Sequence, residues 1–237
     1  MTTWRFLDTG PASGADNMAL DEQLLAEAAK GSAVPVLRFY TWDPPAVSLG
    51  RFQDIASSVN VAACRKHGFD IVRRITGGRA VLHWHELTYS VISPIDNELF
   101  PNDVLGTYKV LASGLLAGFV RLGVHAEMVS PWGDRAEMVK RDRSGPACFS
   151  SPSWYEILVH GKKIVGSAQR RRTGAFLQHG SILIDYDPQL EAEVIPGGGM
   201  HATVTCINRE AGRDVPLDEV KLAFRRGFSE VLGVTIR

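Results

Sequence analysis

The stretch from Trp154 to Asp185 constrains the fold more than any other. Trp154 to His160 and Lys162 to Gln169 are β-rich runs on either side of the turn-forming pair His160-Gly161, and Phe176 to Asp185 is a third such run. Spacing this short favours hairpins. The three arginines between the second and third runs, Arg170, Arg171 and Arg172, are expected to mark an exposed corner.

The rest of the chain supplies helices to cover such a sheet. Asp16 to Lys30 carries Leu20, Leu24, Leu25 and Ala28 at helical spacing and ends on Lys30-Gly31. Asn17 and Asp21 stand one turn apart on much the same face as Leu24 and Leu25; they read as solvated polar residues near the helix start. Two β-rich runs, 34–42 and 45–53, are separated by Asp43-Pro44 and predict a hairpin or a tight strand-to-strand connection. Val61 to His67 reads as a short helix. Asp70 to Pro94 alternates strand-like runs around Gly77-Gly78, a pair that lets the backbone approach something closely. Val104 to Leu122 is the longest helix candidate, closed by Gly123, and His125 to Val129 follows as a short strand. Ser130 to Ser153, charged and rich in Pro, Gly and Ser, reads as a loop long enough to have a function. Gly197 to Gly199 forms another loop, and the segment 216–233 closes the chain as a helix with Pro216 near its first turn. The expected fold is α+β, a single domain over 1–237 with a mixed, mostly antiparallel sheet and packed helices.

Charge and cysteine content exclude several function classes. Lys plus Arg and Asp plus Glu both number 26, so no global field draws the chain to nucleic acid or a membrane surface. The three cysteines, Cys64, Cys148 and Cys206, contain no CxxC pair and fit neither a disulfide framework nor a zinc knuckle. The start, MTTWRFLDTG, lacks a basic region followed by an apolar core. A cytoplasmic location is therefore expected. No GxxxxGK[ST] motif occurs, which removes a P-loop.

The chemistry-bearing residues are few. His83 and His85, two apart on a predicted strand, would share one face, with Glu86 turned to the other side; lacking further ligands, they predict no metal site, and His83 reads as hydrogen-bonded or ligand-facing. Cys148 is a nucleophile only if a neighbour lowers its pKa or takes its proton; otherwise it is a small buried hydrophobe. Lys163 can favour the thiolate and stabilise an oxyanion, and His179 can act as a base. The residues alone leave that choice open.

Taken in order, RRITGGRAVLH, LTYSV, PACFSSPSWYEILV, GKKIVGSAQRR and LQHGSILID, together with NMALDE and PAVSLGRFQ nearer the start, resemble the biotin and lipoate protein ligase catalytic domain family over nearly the whole chain. The nearest branch is that of the cysteine-dependent protein octanoyltransferases. This resemblance implies the α+β fold shared with biotin synthetases and class II aminoacyl-tRNA synthetases, with a medium-chain acyl site. It implies Cys148 as the acyl-thioester nucleophile and Lys163 as the residue that activates it. Arg74, Gly77, Gly78 and His83 then form the loop lining the acyl group, and Gly166, Ser167, Ala168, His179 and Gly180 the strands facing it. Octanoyl-acyl carrier protein is the implied donor and a lipoyl domain protein, such as the glycine cleavage H protein, the acceptor. No cofactor is required.

ATP enters only in the family's other branch, the ligases, which are expected to carry a third glycine where this chain has Arg79. An amidotransferase moving acyl groups between lipoyl domains and a non-catalytic acyl-binding protein are the remaining alternatives. The Trp84-His85 pair departs from the acidic or amide residues usual after the histidine.

Overall fold

His160 and Gly161 both adopt positive φ, 49° and 77°, and close a two-residue turn between β8 (Ile157–Val159) and β9 (Lys162–Arg172). The computed structural model of the chain describes residues 2–31, 33–129, 156–199 and 203–237. β9 pairs antiparallel with β10 (Ala175–Leu183), as the run spacing predicts. The arginines, however, do not form the corner. They continue β9, and the turn falls at Thr173-Gly174. Arg171 is tied to Thr107 Oγ1 and Asp103 O, both at 2.7 Å, so only Arg172 of the three is fully exposed.

Among the described residues, the large sheet has eight strands in the order β11-β1-β2-β6-β10-β9-β8-β7. Here β1 is Thr3–Ala12, β2 Val36–Trp42, β6 Glu86–Pro94, β7 Glu127–Met128 and β11 Thr235–Ile236. Only the β11-β1 and β1-β2 pairs are parallel, and the rest are antiparallel. A second sheet, β4-β3-β5, joins β3 (Ala46–Leu49), β4 (Asp70–Arg73) and β5 (Val81–His83). Asp43-Pro44 therefore makes the tight connection and not the hairpin: β2 and β3 belong to different sheets.

α1 (Gly14–Ala28), capped by the Ser13 side chain on Asp16 N, lies on one face of the large sheet, where Leu24, Leu25 and Ala28 meet Val36, Ile92, Ala175 and Leu177. The opposite face is covered by α4 (Val104–Arg121) and, after the short helices α2 (Ile55–Ser58), α3 (Val61–His67), α5 (Pro188–Val194) and α6 (Ile207–Ala211), by α7 (Leu217–Leu232). α4 is long and apolar enough to cross a membrane by length and composition. Here it packs on α7, with Gly114 and Gly118 so close to Phe228 and Phe224 that an added Cβ would fall 2.5 and 2.3 Å from the rings.

Candidate active site

Strand register explains where the site sits. On the α1 face of the sheet, the row Arg38–Ser90–His179–Ala168 is followed by the row Tyr40–Thr88–Ser181–Gly166. Large side chains on β2 thus oppose Gly166 and Ala168 on β9, and the small residues leave a cavity between this face and the second sheet. Met18, Tyr40, Trp42, Val81 and Ser48 line it, together with Arg74, His83, Gly166, Ser167, Ala168, His179 and Gly180. Seven of the residues implied as substrate-binding therefore converge on one cavity. Met18, Tyr40, Trp42, Val81 and Ala168 supply apolar surface, while Thr88, Ser181 and the other polar side chains share the wall.

Gly77 and Gly78 do not line the cavity; they shape it through Arg74. The buried Arg74 guanidinium donates from Nη1 to Ser48 O at 2.8 Å and from Nη2 to Gly77 O at 3.0 Å and Arg79 O at 2.6 Å. The loop is clamped against β3. Gly78 has φ 92°, open to glycine far more readily than to other residues, and a Cβ on Gly50 would lie 2.0 Å from Gly78 O. Gly50→Ala is expected to cost about 1–3 kcal/mol by forcing the two backbones apart, read as a lower urea midpoint, and to weaken octanoate binding followed by tryptophan fluorescence.

Asn17 and Asp21 are not solvated; both are fully buried. Asp21 accepts from Arg38 Nη1 at 2.8 Å, Tyr40 OH at 3.0 Å and His179 Nδ1 at 3.0 Å, and Asn17 Oδ1 accepts from Arg38 Nη2 at 2.7 Å. Burial alone would push the Asp21 carboxyl up, but the His179 hydrogen bond and the Arg38 charge outweigh it and hold it below its ordinary value. Their shared helical phase with Leu24 and Leu25 was the signal for this burial. His179 Nε2 faces Thr76 Oγ1 at 2.7 Å, so both ring nitrogens are engaged. That leaves His179 a fixed wall of the cavity, with no lone pair free to activate a thiol.

His83 stacks on Trp42 at 4.0 Å and shares a 2.8 Å hydrogen bond with Ser48 Oγ. It does not share a face with His85, which has φ 46° and is exposed because the strand breaks after His83. Glu86 does not turn away either: its Oε1 lies 3.4 Å from His83 Nδ1. Burial, opposed only partly by Glu86, lowers the His83 pKa below its ordinary 6.5. The unfolded chain therefore takes up this proton first, so the stability His83 contributes is complete above about pH 6.5 and is lost as pH falls through that value. Stability is expected to drop between pH 7.5 and 5.5 by at most about 1.4 kcal/mol per pH unit for this group. In urea titrations His83→Gln should flatten that slope.

Lys163 is buried, with Nζ donating to Glu156 Oε1 at 2.6 Å. It lies three residues before Gly166 on β9 and does not line the cavity; the backbone around Thr203 and Thr205 holds it through Lys163 N to Thr203 O and Thr205 N to Lys163 O. The sequence reading missed Glu156, whose position at the edge of a strand gave no sign of its partner. Cys148 and the whole of the loop 130–153 lie outside the described residues. Cys64 and Cys206 are buried, and burial raises both thiols.

A glycine loop clamped by arginine, a cavity on one face of a mixed sheet and a buried lysine–carboxylate pair are the features of this site. Residues 13–229 match the lipoyl protein ligase A/B catalytic domain, and the chain belongs to that family. It is 42% identical to octanoyltransferase LipM of Brevibacillus brevis, covering 100% of this chain and 89% of the relative. It is 44% identical to octanoyltransferase LipM of Symbiobacterium thermophilum, covering 99% and 88%. Among solved structures, lipoate-protein ligase A bound with ATP superposes with a TM-score of 0.81 at 28% identity, covering 99% of this chain and 87% of that one. A lipoate protein ligase from T. acidophilum with bound lipoic acid gives 0.76 at 26% identity, covering 99% and 88%.

Proposed function

We propose that this chain transfers an octanoyl group from octanoyl-acyl carrier protein, through a thioester on Cys148, to a lysine of a lipoyl domain. The observation that carries this reading is full-length identity above 40% to octanoyltransferases. The structural neighbours that bind ATP or lipoic acid are more distant, at 28% and 26% identity. The chain is thus an acyltransferase of protein lipoylation.

In the first half-reaction the Cys148 thiolate attacks the donor thioester carbonyl, a C–S bond to Cys148 forms as the donor's C–S bond breaks, and the departing carrier thiolate takes up the proton that Cys148 gave up. In the second, the acceptor amine displaces Cys148 and the amide forms. Exchange between thioesters is nearly isoenergetic, whereas thioester to amide runs downhill, so ATP is not needed. Lys163, an ammonium held by Glu156, supplies positive charge for the thiolate and the oxyanion. Cavity residues Tyr40, Trp42, Gly166 and Ala168 hold the acyl chain. The glycine cleavage H protein is a suitable acceptor.

Intact-mass measurement tests this directly. Mixed with octanoyl-acyl carrier protein, the chain is expected to gain one octanoyl group that hydroxylamine removes and that Cys148→Ser lacks. An active donor that leaves no adduct overturns the proposal, and AMP release from ATP and lipoate would instead point to a ligase.

A further inference from the structure

We propose that the cleft behind His83 receives the acceptor's lysine side chain, with Glu86 as the partner of its ε-ammonium; this rests on the acyl-transfer reading above. The cleft is bounded by Trp42, Trp84, His85, Glu86, Asn208 and Leu217, and it shares Trp42 and His83 with the acyl cavity. A side chain lying in it therefore reaches the wall of the cavity from outside. Among the described residues, Asp43 and Glu86 are its only acidic groups, His83 and His85 its only other ionisable ones, and no lysine or arginine lines it. That balance attracts a cation and disfavours a phosphate-bearing arm. The two tryptophans suit a methylene stem below an ammonium head.

Glu86 marks the head-group position. It opens β6 and its side chain is 1% exposed. Oε1 accepts from Thr88 Oγ1 at 2.7 Å, and Thr88 in turn accepts from Trp42 Nε1 at 2.9 Å. Among the described residues, Oε2 has no hydrogen-bond partner, and neither does His83 Nδ1. Arg74 Nη1 donates to Ser48 Oγ, so the Ser48 hydroxyl proton is free to go to His83 Nε2 and the ring carries its own proton on Nδ1, toward Glu86. A buried carboxylate with an open lone pair is costly unless a donor arrives. A primary ammonium supplies that donor. In the transfer step it gives one proton to Glu86 Oε2, and the neutral amine attacks the thioester carbonyl. The C–N bond forms, the C–S pair returns to Cys148 Sγ, the amine's second proton goes to that sulfur, and Glu86 later releases its proton to solvent.

The test separates the two half-reactions. Single-turnover loading from octanoyl-acyl carrier protein and single-turnover transfer to an unmodified lipoyl domain are measured for the native chain and Glu86→Gln, an isostere that keeps the Thr88 contact. Transfer is expected to fall about 10- to 100-fold more than loading. Hydroxylamine, largely uncharged at neutral pH, should release the octanoyl group equally fast from both. Equal losses in loading and transfer would mean Glu86 only supports the fold, and no loss in either would equally overturn the proposal. A binding cycle does not depend on turnover: in Cys148→Ser protein, replacing the acceptor lysine by methionine should weaken the lipoyl domain about tenfold when Glu86 is present and hardly at all in Glu86→Gln. Equal weakening in both backgrounds refutes the site. Failure of the native chain to load would instead refute the acyl-transfer reading.

Discussion

Lys163→Ala is expected to slow formation of the octanoyl adduct on Cys148 by about 10²- to 10³-fold, the loss typical when one preorganised positive donor is removed from an oxyanion or thiolate. Stopped reactions followed by intact mass give the rate directly. Lys163 is 3% exposed and its Nζ lies 2.6 Å from Glu156 Oε1, so its charge acts in a low-dielectric setting and is not screened by water. Glu156→Ala provides the control. It leaves the ammonium buried without that carboxylate, which costs about 3–5 kcal/mol in a typical buried pair. If Lys163→Ala loads at the native rate, another group withdraws the proton from Cys148, and the engaged ring of His179 is a poor candidate for that work.

Asp21→Ala carries the larger effect on stability. It removes the carboxylate that Arg38, Tyr40 and His179 all share and strands a guanidinium that is 1% exposed. Breaking one side of a buried pair in this way costs about 3–5 kcal/mol, a large share of a marginal folding free energy. Urea unfolding should show it as a lower midpoint with little change in slope. Replacing both partners, Asp21→Leu with Arg38→Met, is expected to cost clearly less, because no charge is left uncompensated. Octanoate binding should weaken in both proteins, since His179 loses the contact that fixes its ring against the cavity. A single variant as stable as the native chain would show that the network bears little of the fold.

Parts of this site were legible because each depended on local spacing. The run-turn-run pattern around His160-Gly161 gave the β8-β9 hairpin, and the double glycine at 77–78 gave the loop that approaches β3. The ordered motifs grouped Arg74, His83, Gly166, Ala168 and His179, and the structure brings these five to the wall of one cavity. β1 and β11 were not read as strands. β1 owes its place to parallel pairing with β2, and β11 to parallel pairing with β1 between the two ends of the chain; two residues of β11 carry no periodicity to detect. Arg170 to Arg172 were misplaced for a related reason. A strand at the edge of the packed region alternates faces whatever its charge, and Arg171 finds acceptors at the start of α4.

What the sequence determined by itself is the set of elements and the residue types at the site, since helical and strand periods and turn-forming glycines act over a few residues. Tertiary structure alone decided the partners. Asp21 meets His179 across 158 residues, Thr76 meets His179 across 103, and Ser48 meets His83 across 35. No local rule links such positions. The sheet register brings them together, and burial then turns each meeting into an obligatory hydrogen bond, because in the absence of water an unpaired polar group has nowhere else to go.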